Sequence, residues 1–385
     1  MRILDRQRYW AFFKAYVICF IALVGLYVVI DAFSNLDEFA KRADGAAEMF
    51  QVMGRFYLVH MTQFYDRLCG VIGMMAAIFT VTWMQRNNEL LAMLAAGIST
   101  QRVIRPVWIS AILVSALAVL NQELVIPPLA EELQKSHDDD GERKVLVYGR
   151  YDSDGIYIHG READRATRTV LSFNATLPVT VFGAIHELDA KQAQHIPEDH
   201  PRAPLKGGWL LRGAHLNPPV PDKELREGRI VRVEDLEGFP RPFGDQVNLE
   251  GASYFLRTRL SFEAVTRIRQ WYQYANTVDL IRGLDDPTNE PEKLEMAVFL
   301  HSRILRPCLS LNLMFLSLPL VLGGFGRNMF VNLGLSLGTS ALFYGACFLS
   351  QYLGDDAVVS PELAAWAPLI GFGSLAVARW DTIRT

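Results

Sequence analysis

The sequence predicts an α-helical membrane protein with six transmembrane helices and an inserted all-β, jelly-roll-like domain. Three long apolar segments precede a polar stretch, and three follow it. The polar stretch carries short apolar runs separated by Gly, Pro and Asp, a pattern typical of strands and turns. We therefore divide the chain into 1–127, 128–292 and 293–385, with the β domain in the middle.

The membrane segments follow from their length. A helix needs about 20 mainly apolar residues to cross the hydrocarbon core of a bilayer. Such segments run over 12–33, 58–84, 104–126, 298–322, 330–353 and 363–380. The basic start of the chain also fits a signal peptide. We predict an uncleaved helix instead, because the first apolar stretch is long and no small-residue cleavage site follows it directly.

The distribution of charge predicts the orientation. Short loops on one side of the six segments are basic, and those on the other side are rich in Asp and Glu. The basic residues of the first side are Arg2, Arg6, Arg8, Arg86, Arg102, Arg105, Arg327, Arg379 and Arg384. Because cytoplasmic loops are enriched in Lys and Arg, we predict cytoplasmic termini and a periplasmic β domain in a bacterial inner membrane. The net charge of −4 gives no indication of nucleic-acid binding.

Several segments of the inserted domain have the apolar alternation or clustering of strands. They are 145–151, 155–159, 169–173, 179–185, 209–212, 229–233 and 253–260. The Asp-Ser-Asp-Gly sequence at 152–155 predicts a hairpin turn. Many short strands with such punctuation favour a sandwich or a jelly roll. Two helices are predicted to follow, one from Ser261 to about Arg269 and one capped by Asn276.

The loop between the second and third segments predicts a short helix over about 87–98 that is too short to span a membrane. Asn88 is a possible N-terminal cap, and Gly97 a possible end. Leu90, Leu91 and Leu94 share one face, which suits insertion into a groove on a partner protein. The alternative is an ordinary interfacial helix whose first-turn acid, Glu89, only complements the helix dipole.

Three stretches resemble one known family. Glu89-Leu90, then Ala95-Ala96-Gly97-Ile98-Ser99 and Arg102, resemble the coupling-helix signature of the LptF/LptG (YjgP/YjgQ) permeases. Leu4-Asp5-Arg6-Gln7-Arg8-Tyr9 resembles the Leu-Asp-Arg-Tyr opening of that family, with two extra residues. A third stretch resembles the fourth helix of that family, through His301, Arg303, Pro307 and Leu318-Pro319-Leu320. The order of three helices, β domain and three helices extends the resemblance over nearly the whole chain, although the β domain matches only in kind.

The resemblance implies a transporter subunit and not an enzyme: the permease of an ABC exporter that extracts lipopolysaccharide, or a related lipid, from the inner membrane. The expected partners are a cytoplasmic LptB-like ATPase, a homologous permease that completes an LptF/LptG pair, and an LptC/LptA-like periplasmic bridge. The implied ATPase contact consists of Glu89, Leu90, Leu91, Leu94, Gly97 and Ile98. The chain contains no Gly-x-x-x-x-Gly-Lys-Ser/Thr loop, so the nucleotide site is expected on the partner.

A lipid-contact set is a weaker expectation. It comprises Asp31, Lys41, Arg42, Arg67, His301 and Arg303. In LptG-type members a lysine contacts the lipid phosphates, and the matching position here is Asp31, whose charge would repel a phosphate. Basic contacts then come from Lys41, Arg42 or Arg55, or from the paired permease, or the cargo differs. For Arg67 and its neighbour Asp66 an ion pair is the alternative, and for His301 and Arg303 interface anchoring.

The sequence offers little for catalysis or metal binding. His186-Glu187 lacks the second His of a zinc protease, and no Gly-x-Ser-x-Gly elbow occurs. The four cysteines lie inside apolar segments without zinc spacing. We expect no cofactor and no metal. Two other functions stay open: an envelope scaffold in which a β-sandwich is anchored in the membrane, and a mechanotransmitting ABC permease without lipid cargo. An F-like member is not distinguished from a G-like member.

Overall fold

The computed structural model describes residues 3–41, 45–134, 144–179, 184–200, 205–219, 229–234, 251–268, 270–322 and 329–380. The chain divides into two compact units. The first holds Met1–Asp138, Tyr272–Gly283 and Lys293–Thr385, and the second holds Asp139–Trp271 and Leu284–Glu292.

Six helices of the described residues are long and apolar enough to cross a membrane, which confirms the predicted number. The long helices are α1 (Ile3–Ser34), α3 (Ala46–Arg86), α5 (Thr100–Leu120), α9 (Lys293–Leu322), α10 (Met329–Asp355) and α11 (Pro361–Trp380). The short ones are α2 (Leu36–Lys41), α4 (Glu89–Ala95), α6 (Ala130–Leu133), α7 (Phe262–Thr266) and α8 (Thr277–Asp285). All but α7 lie wholly or mainly in the first unit.

Helix α3 forms the centre of the first unit. In its apolar window 67% of the residues are buried, against 11% in the window of α1. Its middle carries Gly70, Gly73, Ala76 and Ala77, and such small residues allow neighbouring helices to approach closely. The core around it takes side chains from α1, α5, α9 and α10. Helix α1 is therefore peripheral and presents most of its apolar surface outward.

Helix α5 ends in an irregular segment. A π-helix over Asn121–Val125 is followed by a 3₁₀ turn over Pro127–Leu129. The Ile126 N–H donates to the Asn121 carbonyl at 3.0 Å, the i→i+5 bond of a π-helix. π-helices are rare in proteins. Most occur as single turns inside α-helices, and many of these turns lie at functional sites.

The second unit is built on one nine-stranded antiparallel sheet, which confirms the predicted β class of the insert. Its strands are β1 (Lys144–Leu146), β2 (Arg150–Tyr151), β3 (Tyr157–His159), β4 (Glu162–Asp164), β5 (Thr169–Leu177), β6 (His186–Ile196), β7 (Gly208–Asn217), β8 (Ile230–Arg232) and β9 (Ala252–Leu256). The order is β1-β4-β5-β6-β7-β9-β8, with β3 pairing both β5 and β2. The predicted hairpin at 152–155 is confirmed by the pairing of β2 with β3.

One strand prediction is wrong. Residues 179, 184 and 185 are not in a strand, and 180–183 lie outside the described residues. The strand that follows is β6, which alternates buried and charged exposed positions. Its polar outer face concealed it, because the prediction relied on apolar clusters. The short strand β4 was missed for the same reason.

The main core of the second unit lies on one face of the sheet. Trp209 is fully buried there beside Phe173, and its indole Nε1–H donates to the Leu260 carbonyl at 3.0 Å. Helix α7 packs Phe262 and Val265 onto the same core. The Ser261 side chain accepts the Ala264 N–H at 3.2 Å and caps α7, which ends at Thr266 and not near Arg269. The predicted cap at Asn276 is confirmed, because its side chain accepts the Asp279 N–H at 2.7 Å.

Candidate coupling and lipid-contact sites

Helix α4 begins at an unusual turn. Asn88, immediately before it, has φ 58°, in the left-handed region that Asn tolerates better than most residues. Its side chain makes no capping hydrogen bond, so the predicted side-chain cap is wrong. Its carbonyl instead accepts the Ala92 N–H at 3.0 Å. The turn therefore depends on backbone conformation.

The end of α4 is a Schellman motif centred on Gly97. The Gly97 N–H donates to the Leu94 carbonyl at 2.9 Å, and the Ile98 N–H donates to the Met93 carbonyl at 3.0 Å. Gly97 has φ 77°, a conformation that disfavours any residue with a Cβ. The prediction that Gly97 ends the helix is confirmed. Both ends of α4 are thus fixed by backbone geometry.

The predicted apolar face of α4 is divided between two environments. Leu90 is 8% exposed and forms a cluster with Met84 and Val103. Leu94 and Ile98 also pack against this cluster, whereas Leu91 is 59% exposed. This corrects the expectation of a single contact face. The inner side of α4 anchors it to α3 and α5, and the outer side presents Leu91 beside the exposed Glu89.

Arg8 of α1 is a buried cation, although its sequence position predicted only a basic cytoplasmic residue within the opening motif. Its guanidinium donates to the Val103 carbonyl at 3.3 Å and also contacts the Met93 sulfur. Asp5 lies 3.8 Å away as its ion-pair partner. Arg8 therefore connects the start of α1 to both α4 and α5. Its position in the Leu-Asp-Arg-Gln-Arg-Tyr sequence is the only signal that singled it out.

Asp31 joins α1 to α3. Its carboxylate accepts the Tyr57 hydroxyl at 2.8 Å, the Tyr27 hydroxyl at 3.1 Å and the Asn35 amide at 3.2 Å. A carboxylate with three such donors is well satisfied as a brace between helices. Asp31 therefore connects α1 to α3, and its expected lipid contact stays a prediction.

Arg303 is also occupied inside the protein, with 3% of its side chain exposed. It donates to the Ala275 carbonyl at 2.6 Å and the Gln122 carbonyl at 3.2 Å, and it pairs with Glu123 at 3.0 Å. Glu123 in turn accepts the Thr277 N–H at 2.9 Å. We call these five residues the Arg303 node. Arg303 is therefore held by protein groups in this structure, and its expected lipid contact stays a prediction.

The remaining lipid-contact candidates differ in exposure. Asp66 forms an ion pair with Arg306, so the predicted pairing of Asp66 is confirmed, and its partner is not Arg67. Arg67 is exposed on α3. His301 is half-buried, and its Nε2 lies 3.8 Å from a Glu362 carboxylate oxygen. Arg42 and the side chain of Lys41 lie outside the described residues.

The amino-acid sequence that forms the six helices and the α4 loop matches a known protein family. The family described as lipopolysaccharide export system permease LptF/LptG matches residues 6–381, nearly the whole chain. The chain belongs to the LptF/LptG family. No curated protein sequence matches it. The resemblance found in the sequence is confirmed, and the protein is a multi-pass membrane permease of lipopolysaccharide transport.

For a member of the LptF/LptG family, two features of this chain are informative. Among the described residues, no group of three His, Cys, Asp or Glu is placed to hold a metal ion. Three charged groups of the first unit, Asp31, Asp66 and Arg303, form contacts between helices or between a helix and a neighbouring segment.

Proposed function

We propose that this LptF/LptG-family chain is an inner-membrane subunit of an ABC exporter, driven by a separate LptB-like ATPase. The observation that carries the proposal is the construction of α4. One side of the helix is anchored in a packed cluster, and the other side leaves Glu89 and Leu91 exposed. A short rigid helix with an exposed apolar and acidic edge suits insertion into a groove of a partner protein.

Movement of α4 has a physical route into the bundle. The cluster of Met84, Leu90 and Val103 joins it to α3 and α5. Arg8 joins it to α1 through Met93 and the Val103 carbonyl. Packed interiors resist compression and transmit displacement. In this proposal, ATP-driven closure of the partner changes the positions of three membrane helices together and drives lipid out of the helical bundle.

The distribution of basic residues and the contacts of Arg8 support an orientation of the chain in the membrane. The contact of Arg8 with Val103 places the start of α1 beside the α4 loop. Both segments are rich in arginine, and basic loops stay in the cytoplasm. We therefore assign the termini and α4 to the cytoplasm. With three crossings before it, the β unit belongs to the periplasm.

Pairing with a homologous permease is proposed through α10 and α1. Gly334, Gly338 and Gly345 lie on the exposed side of α10, and a Cβ added at any of them would meet nothing within 4 Å. Small residues on a membrane helix allow another helix to pack closely. The outward apolar surface of α1 supplies a second element, and we propose that α1 and α10 frame a lateral gate between the two permeases.

The cargo is proposed to be lipopolysaccharide or a related anionic lipid, and Arg67 is an exposed cation that could contact its headgroup. The β unit then receives the acyl chains and passes them to an LptC/LptA-like bridge. Burial of acyl chains in an apolar groove contributes about 0.8 kcal/mol per CH₂. Native purification followed by mass spectrometry of bound lipid and subunits tests this assignment, and a complex that never retains anionic lipid contradicts it.

The ATPase contact is tested by substitution at α4. Glu89→Arg reverses the exposed charge, and Gly97→Pro removes the Gly97 N–H that closes the Schellman motif. Both are expected to abolish co-purification with the ATPase while leaving membrane insertion intact. Glu131→Arg, on the exposed face of α6, is the matched charge reversal and is expected to leave co-purification unchanged. Recovery of the ATPase at normal yield with both α4 variants would contradict the proposal.

A further inference from the structure

Two segments of the first unit flank the β unit in sequence. The exit segment is the π-helical end of α5, Asn121–Val125, and the return segment is Tyr272–Thr277. The exit segment is bonded to α3, because the Asn121 amide donates to the Thr62 carbonyl at 3.0 Å. The return segment is bonded there as well, since the Gln63 amide donates to the Tyr274 hydroxyl at 3.2 Å. Both segments are therefore fixed to the bundle.

The Arg303 node joins the two segments to each other and to α9. The Arg303 guanidinium reaches Gln122 and Glu123 of the exit segment and Ala275 of the return segment. Glu123 spans the same gap, since its carboxylate accepts both the N–H of Thr277, at 2.9 Å, and its hydroxyl, at 2.5 Å. One cation and one carboxylate thus hold two chain segments that are about 150 residues apart in sequence.

The node is suited to positioning. A buried ion pair adds little net stability compared with well-packed apolar residues of the same volume. The ion pair does fix geometry. A guanidinium carries five N–H donors in one plane, so the three acceptors from two segments are held at defined positions around it. Lysine has the same charge but lacks the planar fork.

The exit segment also contains an irregular element, the π turn over Asn121–Val125. A π turn holds one more residue than an α turn, and the helix returns to α geometry if that residue moves out of the turn. The Gln122 carbonyl, inside the π turn, is one of the acceptors of Arg303. A displacement of Arg303 along the axis of α9 therefore acts directly on the backbone of the π turn. Coupling between distant sites requires such an element with discrete arrangements.

We propose that Arg303 and Glu123 are positioning residues that transmit movement of α9 to the exit and return segments together. The inference rests on the proposed function, because it assigns the node a place between ATP-driven movement of the bundle and lipid delivery to the β unit. Neither residue contacts the cargo. The node sets how much lipid leaves the membrane for each ATP hydrolysed.

The test uses the complex of this chain with its paired permease and ATPase in vesicles of phospholipid and lipopolysaccharide. Arg303→Lys keeps the positive charge and removes the planar set of N–H donors. ATP hydrolysis is expected to persist while the lipopolysaccharide released per ATP falls about tenfold, within the usual range of coupling energies. Arg282→Lys is the matched control, because its ion pair with Asp279 is exposed on α8. An unchanged ratio, or a parallel loss of hydrolysis and release, would overturn the proposal.

A second measurement does not depend on transport. Hydrogen exchange of the purified complex is expected to rise in the exit and return segments together in Arg303→Lys, and in neither with Arg282→Lys. A rise in one segment alone, or in neither, overturns the proposed link. If the wild-type complex hydrolyses no ATP or releases no lipid, the proposed function has failed. The exchange measurement then still decides whether Arg303 couples the two segments.

Discussion

The α4 loop and the Arg303 node use charged side chains in opposite ways. At α4 the acidic group, Glu89, is exposed beside Leu91, and its helix is held from behind by apolar packing. In the node Arg303 is turned inward, with 3% of its side chain exposed, and its partner Glu123 is half-buried. The difference teaches that a charged residue in this bundle indicates a partner surface only where it is exposed.

Substitution of an exposed charge and substitution of a buried charge are expected to reduce the free energy of unfolding by different amounts. Substitution of an exposed charge away from special geometry changes stability by about 0.5 kcal/mol or less. Removal of one member of a buried pair leaves the other without compensation and costs about 3 kcal/mol or more. Variants at α4 are therefore expected to weaken binding while the fold persists. Variants at inward-facing charges are expected to weaken the fold itself.

The largest effect is predicted for Asp66→Ala. Asp66 is 7% exposed, and Arg306 is its ion-pair partner. Arg306 would be left unpaired, although its 32% exposed side chain relieves part of the penalty. We expect a loss of about 3 kcal/mol, measured as the free energy of unfolding of the detergent-solubilised protein. Glu89→Ala is the exposed counterpart and is expected to lose little.

A double variant sharpens this result. If the two charges act as a pair, the double variant Asp66→Ala with Arg306→Ala loses less free energy of unfolding than the two single variants lose in sum. Additive losses would mean that the charges do not interact. A loss of stability in Asp66→Ala no greater than that in Glu89→Ala would remove the distinction between inward-facing and exposed charges.

The sequence predicted the architecture because long apolar segments and turn residues are local signals. It also predicted Gly97 as the end of α4, since a positive φ at a helix end selects Gly. It did not predict which charges face inward. Whether Asp31 meets lipid or Tyr57 depends on the rotation of one helix against another, which no local pattern records. The buried role of Arg303 depends on contacts with residues more than a hundred positions away in sequence.

A smaller effect is predicted for Gly97→Ala. The Cβ meets no neighbour within 4 Å, so the cost arises only from the left-handed backbone and is about 1–2 kcal/mol. It is expected to appear as faster hydrogen exchange in 89–99 and weaker ATPase binding. Gly54→Ala is the matched control, because Gly54 also has open space but lies inside α3. Equal exchange in the two variants would show that the Schellman motif does not hold α4.

The β unit shows a third arrangement, a half-buried titratable group without a counter-charge in contact. The His195 ring lies against Trp209, with centroids 5.3 Å apart. Its Nδ1 has no hydrogen-bond partner among the residues that the structure describes. Burial lowers the pKa of His195 below its usual value, Glu263 opposes this lowering, and Arg168 reinforces it.

The smallest effect is therefore a dependence on pH. Because the folded pKa lies below the unfolded value of about 6.5, the contribution of His195 to stability is complete above that pH. It is lost as pH falls from there towards the folded pKa. Amide protection of β6 and β7 in the full chain should fall between pH 7.5 and 5.5, and by less in His195→Phe, which keeps a ring beside Trp209. His159→Phe, at an exposed position, should retain the wild-type dependence. If His195→Phe retains it as well, burial of the imidazole is not its cause.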